Sequence, residues 1–163
     1  QHSEGARMKV PILNSQEAKK FVSYLHSRYG IPLSVMANWR FSQYQESVSV
    51  MSKESVELEQ QGLNVYAMGL QLFAGAKDYF PTANAITLLG EHITQNVVFI
   101  SREQVEAFFA AKRIPRESID ASKVLSDGWV AVAYNGKVIG CGRISAQHLI
   151  PNLPRWQESS EED

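Results

Sequence analysis

Trp129–Ser145 reads WVAVAYNGKVIGCGRIS. Asn135 and Gly136 both tolerate positive φ, so the pair predicts a type I′ turn between two antiparallel strands. Alternation puts Val130, Val132 and Tyr134 on one face of the incoming strand. On the outgoing strand it groups Val138, Gly140 and Gly142 on one face and Lys137, Ile139, Cys141 and Arg143 on the other. Glycine weakens a strand interior. Gly140 and Gly142 therefore mark a strand kept bare for barrel closure, a bulge or a close backbone approach.

Cys141 is the chain's only cysteine. A catalytic thiol needs a base, and the candidates are His26, His92 and His148. Only His148 is near in sequence and nothing pairs it with Cys141, so inert packing is the better reading. A phosphate-binding glycine loop would open a helix, and Arg143–His148 has no helical start. What remains is a glycine strand lying against another strand or against an RNA backbone, or barrel geometry with no ligand.

The chain has 163 residues, 44% hydrophobic and 20% charged, with a formal net charge of -1. That describes a globular protein able to bury a core. One cysteine excludes an internal disulfide and a zinc site needing two thiolates. No histidine and acid spacing suggests a metal, and no cofactor is expected. No apolar run approaches the ~18 residues of a membrane span, and no signal-peptide pattern is seen, which fits a cytoplasmic protein. Charge is uneven, however: Lys112–Arg155 carries seven basic residues against three acidic ones. Lys112, Arg113, Arg116, Lys137, Arg143 and Arg155 are the candidates to neutralise phosphates. Trp129, Tyr134 and Trp156 are candidate stacking surfaces, with core burial the competing role for Trp129 and Tyr134.

Upstream, Asn14-Ser15-Gln16-Glu17 predicts a helix start. Phe21, Val22, Leu25 and Tyr29 follow at helical spacing and Gly30 and Pro32 end it. Strands are expected at Trp39–Tyr44 and Val48–Met51, and a helix capped by Ser52 running to Gln60. Glu54, Glu57 and Glu59 read as its solvated face. Asn64–Phe73 reads as a strand, Thr82 as the cap of a helix to Leu89, and Val97–Ile100 as a buried strand. Ser101-Arg102-Glu103-Gln104 is a capping box opening a helix that buries Val105, Phe108 and Phe109. Lys112–Ser126 reads as a loop. Residues 1–8 read as a disordered or vector-derived start and 158–163 as an acidic disordered tail.

Asp127–Ile144 (DGWVAVAYNGKVIGCGRI) resembles the closing strands of a PUA domain, an RNA-binding pseudo-barrel. Met68–Phe73, Phe80-Pro81-Thr82, Leu88-Leu89-Gly90 and Asn96-Val97-Val98 are similar to the first part of that domain. Leu13-Asn14-Ser15 through Ser52-Lys53-Glu54 resembles the pre-PUA domain of the Nip-seven ribosome-biogenesis family. The PUA-like module of RsmF-type rRNA cytosine methyltransferases shows the same Gly-x-Gly strand, followed by a Lys-Asn-x-x-Pro-like segment. Here Ile150-Pro151-Asn152-Leu153-Pro154-Arg155 matches its Asn, Pro and basic end, with Pro151 in place of the Lys. The methyltransferase domain itself has no counterpart in this chain.

The resemblance implies an α/β pre-PUA-like domain over 9–62 and a PUA-type pseudo-β-barrel over 63–157. It implies a non-catalytic RNA-binding module in rRNA or tRNA modification or ribosome biogenesis, cytoplasmic or, in a eukaryote, nucleolar. It places Lys137, Arg143 and Arg155 near RNA and matches Gly140 and Gly142 to the close-approach strand. Lys112, Arg113 and Arg116 rest on charge alone. The alternative is a protein-interaction adaptor docking on an RNA-modifying enzyme or pre-ribosomal proteins, with Trp39, Phe41 and Tyr44 as anchors.

Overall fold

The computed structural model describes residues 11–60 and 69–154. The expectations for 1–8, 64–68, Arg155, Trp156 and 158–163 lie outside them.

Helix α1 (Ser15–Tyr29) starts where its sequence says. The Asn14 side chain accepts from the Glu17 amide, and the Glu17 carboxylate accepts from the Asn14 amide. This capping box satisfies two amides that lack helical partners. Gly30, at φ 73, ends the helix in the left-handed conformation. Phe21, Leu25 and Tyr29 lie fully buried on one face.

Strands β1 (Trp39–Tyr44) and β2 (Ser47–Ser52) form a hairpin, and Ser52 caps α2 (Lys53–Gln60) by accepting from the Ser55 amide. Strands β3 (Leu70–Gly75) and β4 (Phe80–Pro81) complete an antiparallel sheet of order β1-β2-β3-β4. Strand β2 therefore pairs with β3 across residues 62 and 63. Thr82 caps α3 (Ala83–Leu88), and a 3₁₀ turn at Gly90–His92 follows.

The second sheet holds β5 (Val97–Phe99), β6 (Ile114–Pro115), β7 (Gly128–Tyr134), β8 (Lys137–Ile144) and β9 (His148–Asn152) in the order β5-β7-β8-β9-β6. Strand β5 runs parallel to β7 and the other pairs are antiparallel. Helix α4 (Arg102–Phe109) connects β5 to β6 behind the expected Ser101–Gln104 capping box. Of its three expected core residues, Phe108 is fully buried and Val105 partly, but Phe109 is 49% exposed. The helix ends at Phe109, so that side chain lies beyond the covered face. The 112–126 segment is not all loop, since it supplies β6 and a 3₁₀ turn at Arg116–Ser118.

The hairpin has the expected turn, with φ 53 at Asn135 and φ 80 at Gly136. Its faces differ from strict alternation. Val132 pairs with Gly140 and Ala133 with Val138, leaving Ile139 as the extra residue of a bulge. The bulge switches the pleat. Val138 and Cys141 now join Ala131 and Ala133 in the main core with α1 and the first sheet. Ile139 packs instead with Val130, Val132, Ile144 and Phe108 in a second core under α4. Lys137, opposite Tyr134, falls on that second face, while Arg143, opposite Trp129, falls on the first. Lys137 and Arg143 thus stand on opposite faces, not together. They are also about 20 Å apart along β8 at ~3.3 Å per residue.

Candidate nucleic-acid interface

Both bare glycines are filled by the protein itself. A Cβ on Gly140 would lie 3.1 Å from Cε2 and Cζ of Phe108. The close approach at Gly140 is thus by a side chain, not by a backbone. A Cβ on Gly142 would lie 2.7 Å from the Ile150 carbonyl oxygen and 3.0 Å from Leu149 Cδ1. Here the approaching backbone is β9, which pairs Pro151 with Gly142.

Cys141 is fully buried, and burial pushes its thiol up to about 11. The Asn152 amide donates to its sulfur at 3.3 Å and also to the Pro81 carbonyl at 3.2 Å. A protonated thiol out of reach of solvent is no nucleophile at neutral pH. His26 is occupied elsewhere, its Nδ1 2.9 Å from the Ile31 carbonyl oxygen.

The accessible chemistry lies at the other end of the same face. Trp129, Arg143 and Ile150 are cross-strand neighbours on β7, β8 and β9. Strand β6 pairs Ile114 with Leu149, and Arg113 immediately precedes that strand, which brings it near the Ile150 end of this row. Arg113, Arg143 and Ile150 are exposed and Trp129 is half-buried. The row projects past the main core, where β4 of the first sheet meets it. Phe80 stacks on Trp129 with centroids 4.7 Å apart and planes within 9°. The Arg143 guanidinium carbon lies 5.7 Å from the Trp129 ring centroid. Trp129 is therefore neither core nor bare platform: its half-buried ring meets both an aromatic and a cation.

The remaining basic residues divide by commitment. Lys112 is exposed beside Arg113. Arg116 donates through Nη1 to Asp127 Oδ1 at 2.9 Å and to the Ser145 carbonyl at 3.0 Å, tying β6 to the β8–β9 turn. Lys137 is exposed at the hairpin tip. Among the described residues Arg143 makes no hydrogen bond or ion pair, so its charge is available. Of the three apolar anchors of the adaptor reading, Phe41 is 2% exposed and packed on Phe21, and Trp39 is half-buried. Only Tyr44, 62% exposed, stands free.

Two residues that position the candidate interface were given no role of their own by the sequence. Arg28 reaches from α1 to the Trp129 carbonyl through Nε at 2.9 Å and Nη2 at 2.6 Å, and to the Ser126 carbonyl at 3.0 Å. Asn96, 2% exposed, donates to the Arg28 carbonyl and accepts from the Leu125 amide at 2.9 Å. Together they fix the start of β7, and hence Trp129, against the end of α1. Their partners lie far away in sequence, and no local spacing reveals such pairs.

No family model matches the chain, and no curated protein matches it. Among solved structures, the chain is similar to a conserved PUA domain protein from Thermoplasma acidophilum. The TM-score is 0.56 at 14% identity, over 88% of this chain and 93% of that one. The mixed helix-and-sheet architecture described above is thus a PUA-type α/β fold.

Proposed function

We propose that this protein is a non-catalytic RNA-binding module whose contact surface is the exposed row of Arg113, Arg143 and Ile150 beside Trp129, with Lys112 at its end. The carrying observation is Arg143: exposed, without a protein partner among the described residues, and held over the Trp129 ring. A pre-positioned guanidinium loses little freedom on meeting phosphate or base. The PUA-type fold supports the same reading, as does the name of the Thermoplasma acidophilum neighbour. The sequence resemblance adds the finer role, action on rRNA or tRNA in modification or ribosome biogenesis, beside a modifying enzyme or pre-ribosomal proteins. Arg116 is structural on this account. Lys137, on the opposite face of the sheet, lies outside this surface.

Fluorescence anisotropy of a labelled RNA titrated with protein tests the surface. Arg143→Ala is expected to weaken binding about five- to tenfold, in line with one lost stacked cation. Lys19→Ala removes an exposed charge from α1 and is expected to leave affinity unchanged. Equal affinity for wild type and Arg143→Ala would contradict the assignment. Crosslinking in cells, with sequencing of the bound RNA, distinguishes rRNA from tRNA.

A further inference from the structure

We infer that the RNA taken by this surface is single-stranded, with an unpaired base stacked on the Arg143–Trp129–Phe80 assembly. This inference rests on the RNA-binding reading above and names the form of its ligand. Three observations carry it.

The first is planarity. Phe80 and Trp129 are parallel within 9°, and the guanidinium carbon of Arg143 lies 5.7 Å from the indole centroid. The assembly presents an exposed guanidinium and a half-exposed phenyl ring. Both accept the flat face of a base, whatever its identity. A base inside a duplex has both faces covered by its neighbours and cannot offer one.

The second is the extent of the charge. Arg143 pairs with Ile150 across β8 and β9, and Arg113 precedes Ile114, which pairs with Leu149 next to Ile150. Two strand spacings separate β6 from β8, about 10 Å. That separation follows one backbone. Double-stranded-RNA-binding domains contact two successive minor grooves and the phosphates between them, and the whole chain has a net charge of -1. Lys137, the next cation along β8, faces the other side of the sheet.

The third is the apolar member of the row. Ile150 is 37% exposed directly opposite Arg143. An apolar side chain between phosphate contacts suits a ribose or a splayed base and gains nothing from a phosphate rail. The competing view makes the pile ordinary surface packing, in which Arg143 covers Trp129 and no base enters. The two views part on whether the guanidinium plane matters once its charge is kept.

The experiment compares a short unstructured RNA strand with the blunt duplex of the same sequence, by anisotropy, using wild type and Arg143→Lys. The lysine keeps the charge and loses the plane. The expected result is at least about tenfold tighter binding of the single strand. Arg143→Lys is expected to weaken single-strand binding about fivefold and to leave duplex binding as it was. Equal affinity for the two RNAs, or single-strand binding by Arg143→Lys equal to wild type, overturns the stacking inference while RNA binding stands. Failure of wild type to bind either RNA overturns the RNA-binding reading and the inference with it. Far-UV circular dichroism of Arg143→Lys matching wild type shows that any loss is local.

Discussion

Cys141 faces Ala131 and the Asn152 amide inside the main core, and its thiol titrates at about 11 instead of the ordinary 9.0. Below pH 9 the folded and unfolded chains both keep the proton. Between about 9 and 11 the unfolded chain loses it first, so stability falls as pH rises through that window. Burial raises Tyr29 well above 10 as well, extending the loss upward. Chemical denaturation across this range is expected to show the decline, with a smaller slope between pH 9 and 11 in Cys141→Ala. An unchanged slope would contradict the burial assigned to the thiol. Sequence reading identified Cys141 as inert and Gly140 and Gly142 as positions without room. It could not say what fills the room. A glycine looks the same whether its neighbour is the ring of Phe108 or the carbonyl of Ile150.

The strands and helices with local signatures were legible: the Asn135-Gly136 hairpin, and the helix starts at Asn14, Ser52, Thr82 and Ser101. Strand β9 was not, because Pro151 sits within it. Beyond Leu149 it has lost β6 as a neighbour and is an edge, where proline is tolerated. The bulge at Ile139 was also hidden, and it moved Lys137 to the face opposite Arg143. Two pairs of variants test these elements. Gly142→Ala pushes a methyl against a backbone carbonyl of β9 and is expected to cost about 1–3 kcal/mol. Gly140→Ala meets only the far edge of the Phe108 ring and should cost less. The reverse order in urea denaturation would contradict the packing described. Asn96→Ala strips partners from the Arg28 carbonyl and the Leu125 amide, and should cost about 2–3 kcal/mol. Arg28→Ala leaves the Trp129 carbonyl without its guanidinium donor and should destabilise the same junction. Wild-type urea midpoints in both variants would contradict the role given to this junction.

At the scale of the molecule, the sequence divides near residue 62, yet β2 and β3 pair within one sheet. The main core joins Phe21, Phe41 and Val50 with Ala131, Val138 and Cys141. Elements from both sides of residue 62 therefore support each other. A single cooperative transition is expected, with near- and far-UV circular dichroism coincident during unfolding. Two separated transitions would contradict this shared core. The same packing sets the proposed surface: α1 holds β7 through Arg28, β4 brings Phe80 onto Trp129, and the bulge turns Arg143 toward that seam. Charge composition pointed to Lys112–Arg155, and only the register of β7, β8 and β9 sets Trp129, Arg143 and Ile150 side by side within it.

The salt dependence of RNA affinity tests that row most directly. Each phosphate contact on a single strand contributes roughly 0.7 to the slope of log affinity against log salt. Arg113→Ala/Arg143→Ala is therefore expected to lower the slope by roughly 1.4, with Lys19→Ala matching wild type. A double variant with the wild-type slope and affinity would contradict the claim that this row binds RNA.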